Sequence, residues 1–148
     1  MVSVLTILKS KLSHIEVRVD IPDGLTINCY QVGLNQIFMN LISNAIDVLP
    51  ASNGQIYFQA KTTSDGLIEL RVSDNGHGMS QSIQDRMFDP FFTTKEVGKG
   101  TGLGLHIVQK EVERHAGTIS VESKIDVGTT FTIRLPNIFE TSKISEAA

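Results

Sequence analysis

Residues 31–49 read QVGLNQIFMNLISNAIDVL. Leu34, Ile37, Phe38, Leu41, Ile42, Ala45, Val48 and Leu49 recur at intervals of three and four, which places them on one side of a helix that ends near Pro50. Asn40, Asn44 and Asp47 stand four and three apart on the other side, within an arc of roughly 60° at ~100° per residue. Most polar stripes on amphipathic helices simply face solvent. Here the residue types argue otherwise, because asparagine is a poor choice for an exposed helix interior. Its side-chain oxygen is a neutral hard donor suited to Mg²⁺, whose other ligands are often phosphate oxygens and water. An Asn-bound Mg²⁺ implies a phosphorylated ligand.

The flanking segments supply the other layer. Upstream, Ile15, Val17, Val19 and Ile21 alternate with charged residues, the period of a half-buried strand, and Pro22-Asp23-Gly24 stops it. A second short strand is expected through Ile27. Residues 3–12 put Val4, Leu5, Leu8 and Leu12 at near-helical spacing and read as the end of something longer. Downstream, GQIYFQAKT (54–62) and LIELRVS (67–73) are two alternating strands joined through Ser64-Asp65-Gly66, a hairpin signal. Residues 74–102 lack a sustained period and read as a long loop, of a kind that in compact domains is usually functional or disordered. Helical spacing returns from Leu103 to His115. TISVES (118–123) and TTFTIRL (129–135) then form a last strand pair around Asp126-Val127-Gly128, and the tail after Pro136 is expected to fray. This order predicts an α/β fold, a two-layer sandwich of a mixed sheet with helices on one face.

Composition narrows the function. The 148 residues match the roughly 150 of a single domain, and 41% hydrophobic residues are enough for a sizeable core. A net charge of −3 gives no basic footprint for nucleic acid. The single cysteine, Cys29, excludes a disulfide framework and a multi-cysteine zinc site, and suits a reducing cytosol. No uninterrupted apolar run reaches the roughly 18 residues of a membrane span.

Three further clusters carry chemistry. Asp74-Asn75-Gly76-His77-Gly78-Met79 follows a strand directly. Alone it is a tight turn; functionally it fixes a carboxylate at a strand end to accept from the exocyclic amino group of a base, with Gly76 and Gly78 letting the backbone lie close to the ring. Gly98-Lys99-Gly100-Thr101-Gly102-Leu103-Gly104-Leu105 opens a helix, and its free N–H groups beside a positive dipole end favour phosphate. It lacks the Walker A and GxGxxG spacings, which disfavours P-loop and dinucleotide folds. In Phe88-Asp89-Pro90-Phe91-Phe92-Thr93-Thr94-Lys95, Phe88 and Phe91 read equally well as core plugs, and an exposed Phe92 would mark a partner contact.

Taken in order, NLISNAID, DNGHGM, FDPFFTTK and GKGTGLGL resemble the N, G1, F and G2 boxes of the ATP-binding catalytic domain of two-component sensor histidine kinases. The likeness spans roughly Ile15 to Pro136 and includes ERHAGTISVES and GTTFTIRLP. It implies the Bergerat ATP-binding fold, with ATP and Mg²⁺ as cofactors. Asn44 would be the Mg²⁺ ligand, and Asn40 would contact metal or phosphates. Asp74 would take the adenine amino group, with Gly78 along the ring and Thr129 completing that end. Gly100, Gly102 and Gly104 would hold the phosphates, residues near 80 to 101 would form a lid, and Lys95 or Lys99 would bring charge to the β/γ-phosphates. Asp47, Gly76, Met79, Phe88, Thr101, Leu103 and Leu105 complete the implied cofactor-binding set.

The resemblance also implies a protein-histidine kinase whose γ-phosphate acceptor lies elsewhere. No histidine here has the family's acceptor context, so residues 1–14 would be the remnant of a helical dimerisation and phosphoacceptor domain, 15–136 the catalytic domain and 137–148 a disordered tail. A response regulator would act downstream, and the isolated chain would be a cytoplasmic monomer without membrane contact. Two departures stand out. Many members carry Lys where Asp47 stands, and hydrolytic relatives carry a water-activating Glu where Asn40 stands. Asparagine cannot take that proton, which counts against efficient hydrolysis by a gyrase-type clamp. A serine kinase of the anti-sigma type is the other alternative.

Overall fold

The structure is a computed structural model that describes residues 14–94 and 102–137. The helix expected over residues 3–12, the lid lysines Lys95 and Lys99, Gly100, Thr101 and the tail beyond Asn137 lie outside these residues.

Period-two segments form the strands. They are β1 (Glu16–Asp20), β2 (Gln55–Thr62), β3 (Leu67–Asp74), β4 (Thr118–Lys124) and β5 (Gly128–Pro136). β1 runs parallel to β2, which requires a crossover, and helix α1 (Gln31–Val48) supplies it. The remaining pairs are antiparallel, and the sheet order is β1-β2-β3-β5-β4. Register then sorts the side chains. Phe58 lies opposite Val72 and Val72 opposite Phe131, while Ala60, Leu70 and Ile133 form the next row. These residues make one apolar face, and α1 and α3 (Gly104–Arg114) cover it with Ile37, Leu41, Ile42, Val108 and Val112, all fully buried. The expected two-layer α/β sandwich is what forms.

The outer face of the sheet is polar. There Glu69, only 6% exposed, holds the Arg134 guanidinium at 3.0 Å and the Lys61 ammonium at 3.8 Å. Two local expectations change. The strand expected through Ile27 does not form: the Asn28 N–H donates to Asn137 Oδ1 at 2.8 Å, and Asn137 Nδ2 donates to the Thr26 carbonyl at 3.5 Å. One side chain satisfies this backbone where a ladder would otherwise have been needed. Within the expected loop, residues Gln81–Gln84 form a short helix α2, started by the Ser80 hydroxyl accepting the Ile83 N–H at 3.4 Å.

A buried histidine ties the two long helices together. His115, just past α3 and 1% exposed, accepts the Tyr30 N–H on Nε2 at 3.1 Å and donates from Nδ1 to the Glu111 carbonyl at 2.6 Å. An acceptor at Nε2 fixes the proton on Nδ1 and ties the start of α1 to the end of α3. His115→Ala opens a hole and strands the Tyr30 N–H, so it should cost about 2 kcal/mol. Urea unfolding should show this as a lower midpoint at unchanged slope.

Candidate functional site

A cleft of about 620 Å³ opens beside α1, the end of β3, the start of α3 and the β4–β5 turn. Its chemistry begins with strand alternation. Ile68, Leu70 and Val72 point to the helices, and Asp74 occupies the next inward position on β3. The register extends that row from Ile56 through Asp74 to Thr129 and Ser123. A carboxylate therefore stands where the core would take an aliphatic side chain. Burial pushes the Asp74 carboxyl above its ordinary range, opposed by backbone hydrogen bonds from Gly76 and Thr129 and by the charge of His77.

The turn after Asp74 is held from three sides. The Gly76 N–H donates to Asp74 Oδ1 at 2.8 Å. Asn75 accepts the Gln55 N–H at 2.7 Å and donates to the Asn53 carbonyl at 2.8 Å, while the His77 N–H reaches the Val48 carbonyl at the end of α1 at 3.2 Å. Gly78 has φ +70°, and a Cβ there would collide with the Lys124 carbonyl, so only glycine lets this turn lie against the β4–β5 hairpin.

A second polar cluster joins α1 to α3. Asn40 Nδ2 donates to the Gln36 carbonyl at 3.0 Å, and its Oδ1 faces Gly104: a Cβ at Gly104 would lie 3.2 Å from Asn40 Oδ1 and 3.9 Å from Asn44 Nδ2. The start of α3 thus lies against these two carboxamides, with its first-turn N–H groups at the positive end of the helix dipole. Nearby, Gly102 (φ +71°) accepts the Phe91 N–H at 2.8 Å, which clasps together the flanks of residues 92–101.

Of the residues expected from sequence, Asn40, Asn44, Asp74, Gly78, Met79, Gly102, Gly104, Leu105 and Thr129 all line this one cleft. Gly76, Leu103, Asp47 and Phe88 are not in its lining. Gly76 sits behind the Asp74 carboxylate, Asp47 is exposed, and Phe88 packs against the core. Phe91, 74% exposed, is the phenylalanine turned to solvent; Phe92 lines the cleft under the Arg86 guanidinium at 4.6 Å. Sequence reasoning missed the apolar wall of Ala45, Val48, Met87 and Phe131: Ala45, Val48 and Phe131 sit in periodic apolar segments, and Met87 falls in the expected loop. It also missed Ile125 and Asp126 on the β4–β5 turn, for which no local pattern gives a signal.

Residues 29–138 match the family model described as histidine kinase-, DNA gyrase B-, and HSP90-like ATPase, and the chain belongs to that family. Its fold is that of histidine kinase catalytic domains. The catalytic domain of histidine kinase ThkA superposes with a TM-score of 0.80 at 27% identity, covering 91% of this chain and 88% of that one. Full-length ShkA in complex with AMPPNP gives 0.79 at 26% identity, covering 90% and 28%. Among curated proteins, sporulation kinase E of Bacillus subtilis (strain 168) is 38% identical over 129 residues, 86% of this chain and 17% of the relative. Signal transduction histidine-protein kinase AtoS of Escherichia coli (strain K12) is 37% identical over 136 residues, 88% and 22%. The chain thus spans about a fifth of the length of these relatives. Among the described residues no helix is long and apolar enough to cross a membrane.

Proposed function

We propose that this chain is the catalytic domain of a sensor histidine kinase: it holds Mg-ATP and presents the γ-phosphoryl group to a histidine on a helical dimerisation and phosphoacceptor domain outside the chain. A response regulator would receive the phosphoryl group next. The observation that carries this reading is the convergence of Asp74 with Thr129, and of Asn40 with Asn44 and the start of α3, on one cleft. Asp74 accepts the adenine amino group, with Thr129 beside it. Gly78 and Met79 lie along the base, and Gly102, Gly104 and the first-turn N–H groups of α3 hold phosphate oxygens. Charge on the β/γ-phosphates falls to Lys95 or Lys99. The AMPPNP bound in the ShkA structure supports the choice of nucleotide.

The donor set fits Mg²⁺ that arrives with a nucleotide. Among the described residues no group of three or more His, Cys, Asp or Glu could hold a metal, whereas Asn44 and Asn40 offer neutral oxygens that leave most of the shell to phosphate and water. When bound, Mg²⁺ supplies charge neutralisation at the phosphates. The protein's own part is positioning, since phosphoryl transfer needs the donor held in line with its acceptor. Asn40, where the hydrolytic relatives carry the water-activating Glu, is a carboxamide and cannot take a proton from water, which favours keeping the phosphoryl group for the acceptor.

Incubation with Mg²⁺ and γ-labelled ATP tests this. The expected result is Mg-dependent nucleotide binding with negligible free phosphate and no label on this chain, and label transfer once a phosphoacceptor domain is added. Rapid multiple-turnover phosphate release would replace the kinase reading with a hydrolytic one.

A further inference from the structure

One hydroxyl outside the cleft lining joins the turn after Asp74 to the strand that carries Thr129. Ser123 on β4 lies opposite Thr129. Its Oγ has three polar neighbours: the Met79 N–H at 2.8 Å, Thr129 Oγ1 at 2.7 Å and the Gly128 carbonyl at 3.2 Å. The Met79 amide can only donate and the Gly128 carbonyl can only accept, while a serine hydroxyl has one proton and two lone pairs. A single proton arrangement makes all three contacts hydrogen bonds. Ser123 donates to Gly128 and accepts from both Met79 and Thr129. The Thr129 proton is then committed to Ser123, and Thr129 turns only lone pairs toward the cleft. Asp74, its partner across β3 and β5, is also an acceptor. Gln84 Nε2 braces the arrangement by donating to the Met79 carbonyl at 3.0 Å and the Ser123 carbonyl at 3.3 Å.

We infer that Ser123 is a specificity-determining residue for the base: by holding the Thr129 hydroxyl as an acceptor, it makes the Asp74–Thr129 floor admit a 6-amino purine and reject a 6-oxo purine. The inference rests on the ATP reading given above. A 6-amino group brings N–H donors to this floor, whereas a 6-oxo group brings lone pairs against two acceptors, and the single N1–H of a 6-oxo purine can satisfy only one of them. Without the Ser123 hydroxyl, Thr129 is free to turn its proton into the cleft and meet an oxo group.

The test is the affinity for ATP and for inosine triphosphate at fixed Mg²⁺, in wild type, Ser123→Ala, Thr129→Val and the double variant. Wild type should prefer ATP. Ser123→Ala should narrow the ATP-to-ITP ratio by about tenfold, chiefly through tighter ITP binding. In the Thr129→Val background the same substitution should leave the ratio unchanged, because no hydroxyl remains to rotate. Ser123→Thr, which keeps the hydroxyl, should restore the wild-type ratio. Equal weakening of both nucleotides by Ser123→Ala overturns the inference, as does a ratio change that persists without Thr129. Should Ser123→Ala fail to fold, Ser123→Cys exchanges the hydroxyl for a weak donor and carries the same ratio test. A wild-type chain that binds ITP but shows no preference for ATP refutes the Ser123 assignment alone, whereas one that binds neither nucleotide refutes the ATP reading beneath it.

Discussion

Asp74→Ala lowers the affinity for ATP by at least about a hundredfold in an equilibrium titration. The carboxylate stands at an inward strand position among apolar residues, where a hydrogen bond to a charged acceptor is strong because water competes poorly. The same burial sets an opposite effect on the free protein. Burial raises the Asp74 carboxyl above its ordinary value of 3.8. A raised folded-state value means a contribution to stability that is fully present below the ordinary range and is lost as pH rises through the folded value. Above that window the folded chain carries a partly desolvated charge. Asp74→Asn keeps an oxygen for the Gly76 N–H and removes the charge, so without nucleotide it should melt above wild type at neutral pH, and the difference should vanish in acid. Thermal melts across the acid range check this. Parallel pH profiles for the two proteins would mean that the carboxylate is not penalised by burial.

Asn44→Ala lowers the affinity for Mg-ATP on the order of a hundredfold, while affinity for ATP in a chelator stays within a few-fold of wild type. The contrast between the two conditions isolates the metal. Asn44 lines the cleft next to Asn40 and the start of α3, and no cluster of acidic or histidine ligands among the described residues could take its place. Loss of the carboxamide oxygen removes a protein ligand that phosphate and water alone do not replace. Equal weakening with and without Mg²⁺ would assign Asn44 to packing or to the phosphates directly.

Much of the fold was legible because its signals are local. The three- and four-residue spacing of α1 and the alternation of β2 and β3 are written in neighbouring residues, and the structure reproduces them within a residue or two. Asp65-Gly66 likewise placed the first hairpin turn, where Gly66 has φ +84°. The strand expected through Ile27 failed because Asn137, far along the chain, satisfies that backbone with its side chain. Among the phenylalanines, identity alone did not say which ring faces solvent. Phe92 lies under Arg86 and Phe91 is turned outward with φ +68°, a choice made by the clasp to Gly102.

Element types, the four motifs in their order and the polar stripe on α1 follow from local sequence, since each depends on residues within a few positions of one another. Which residues meet is settled by long-range packing. Strand register places Asp74, Thr129 and Ser123 in one row, and helix packing turns the Asn40 oxygen toward Gly104. A period of two tells which face a residue occupies but not which partner lies opposite it. That pairing is fixed when the whole apolar face is buried at once, because a one-residue slip would bring Asp74's neighbours, and the charge-bearing outer row, into the core.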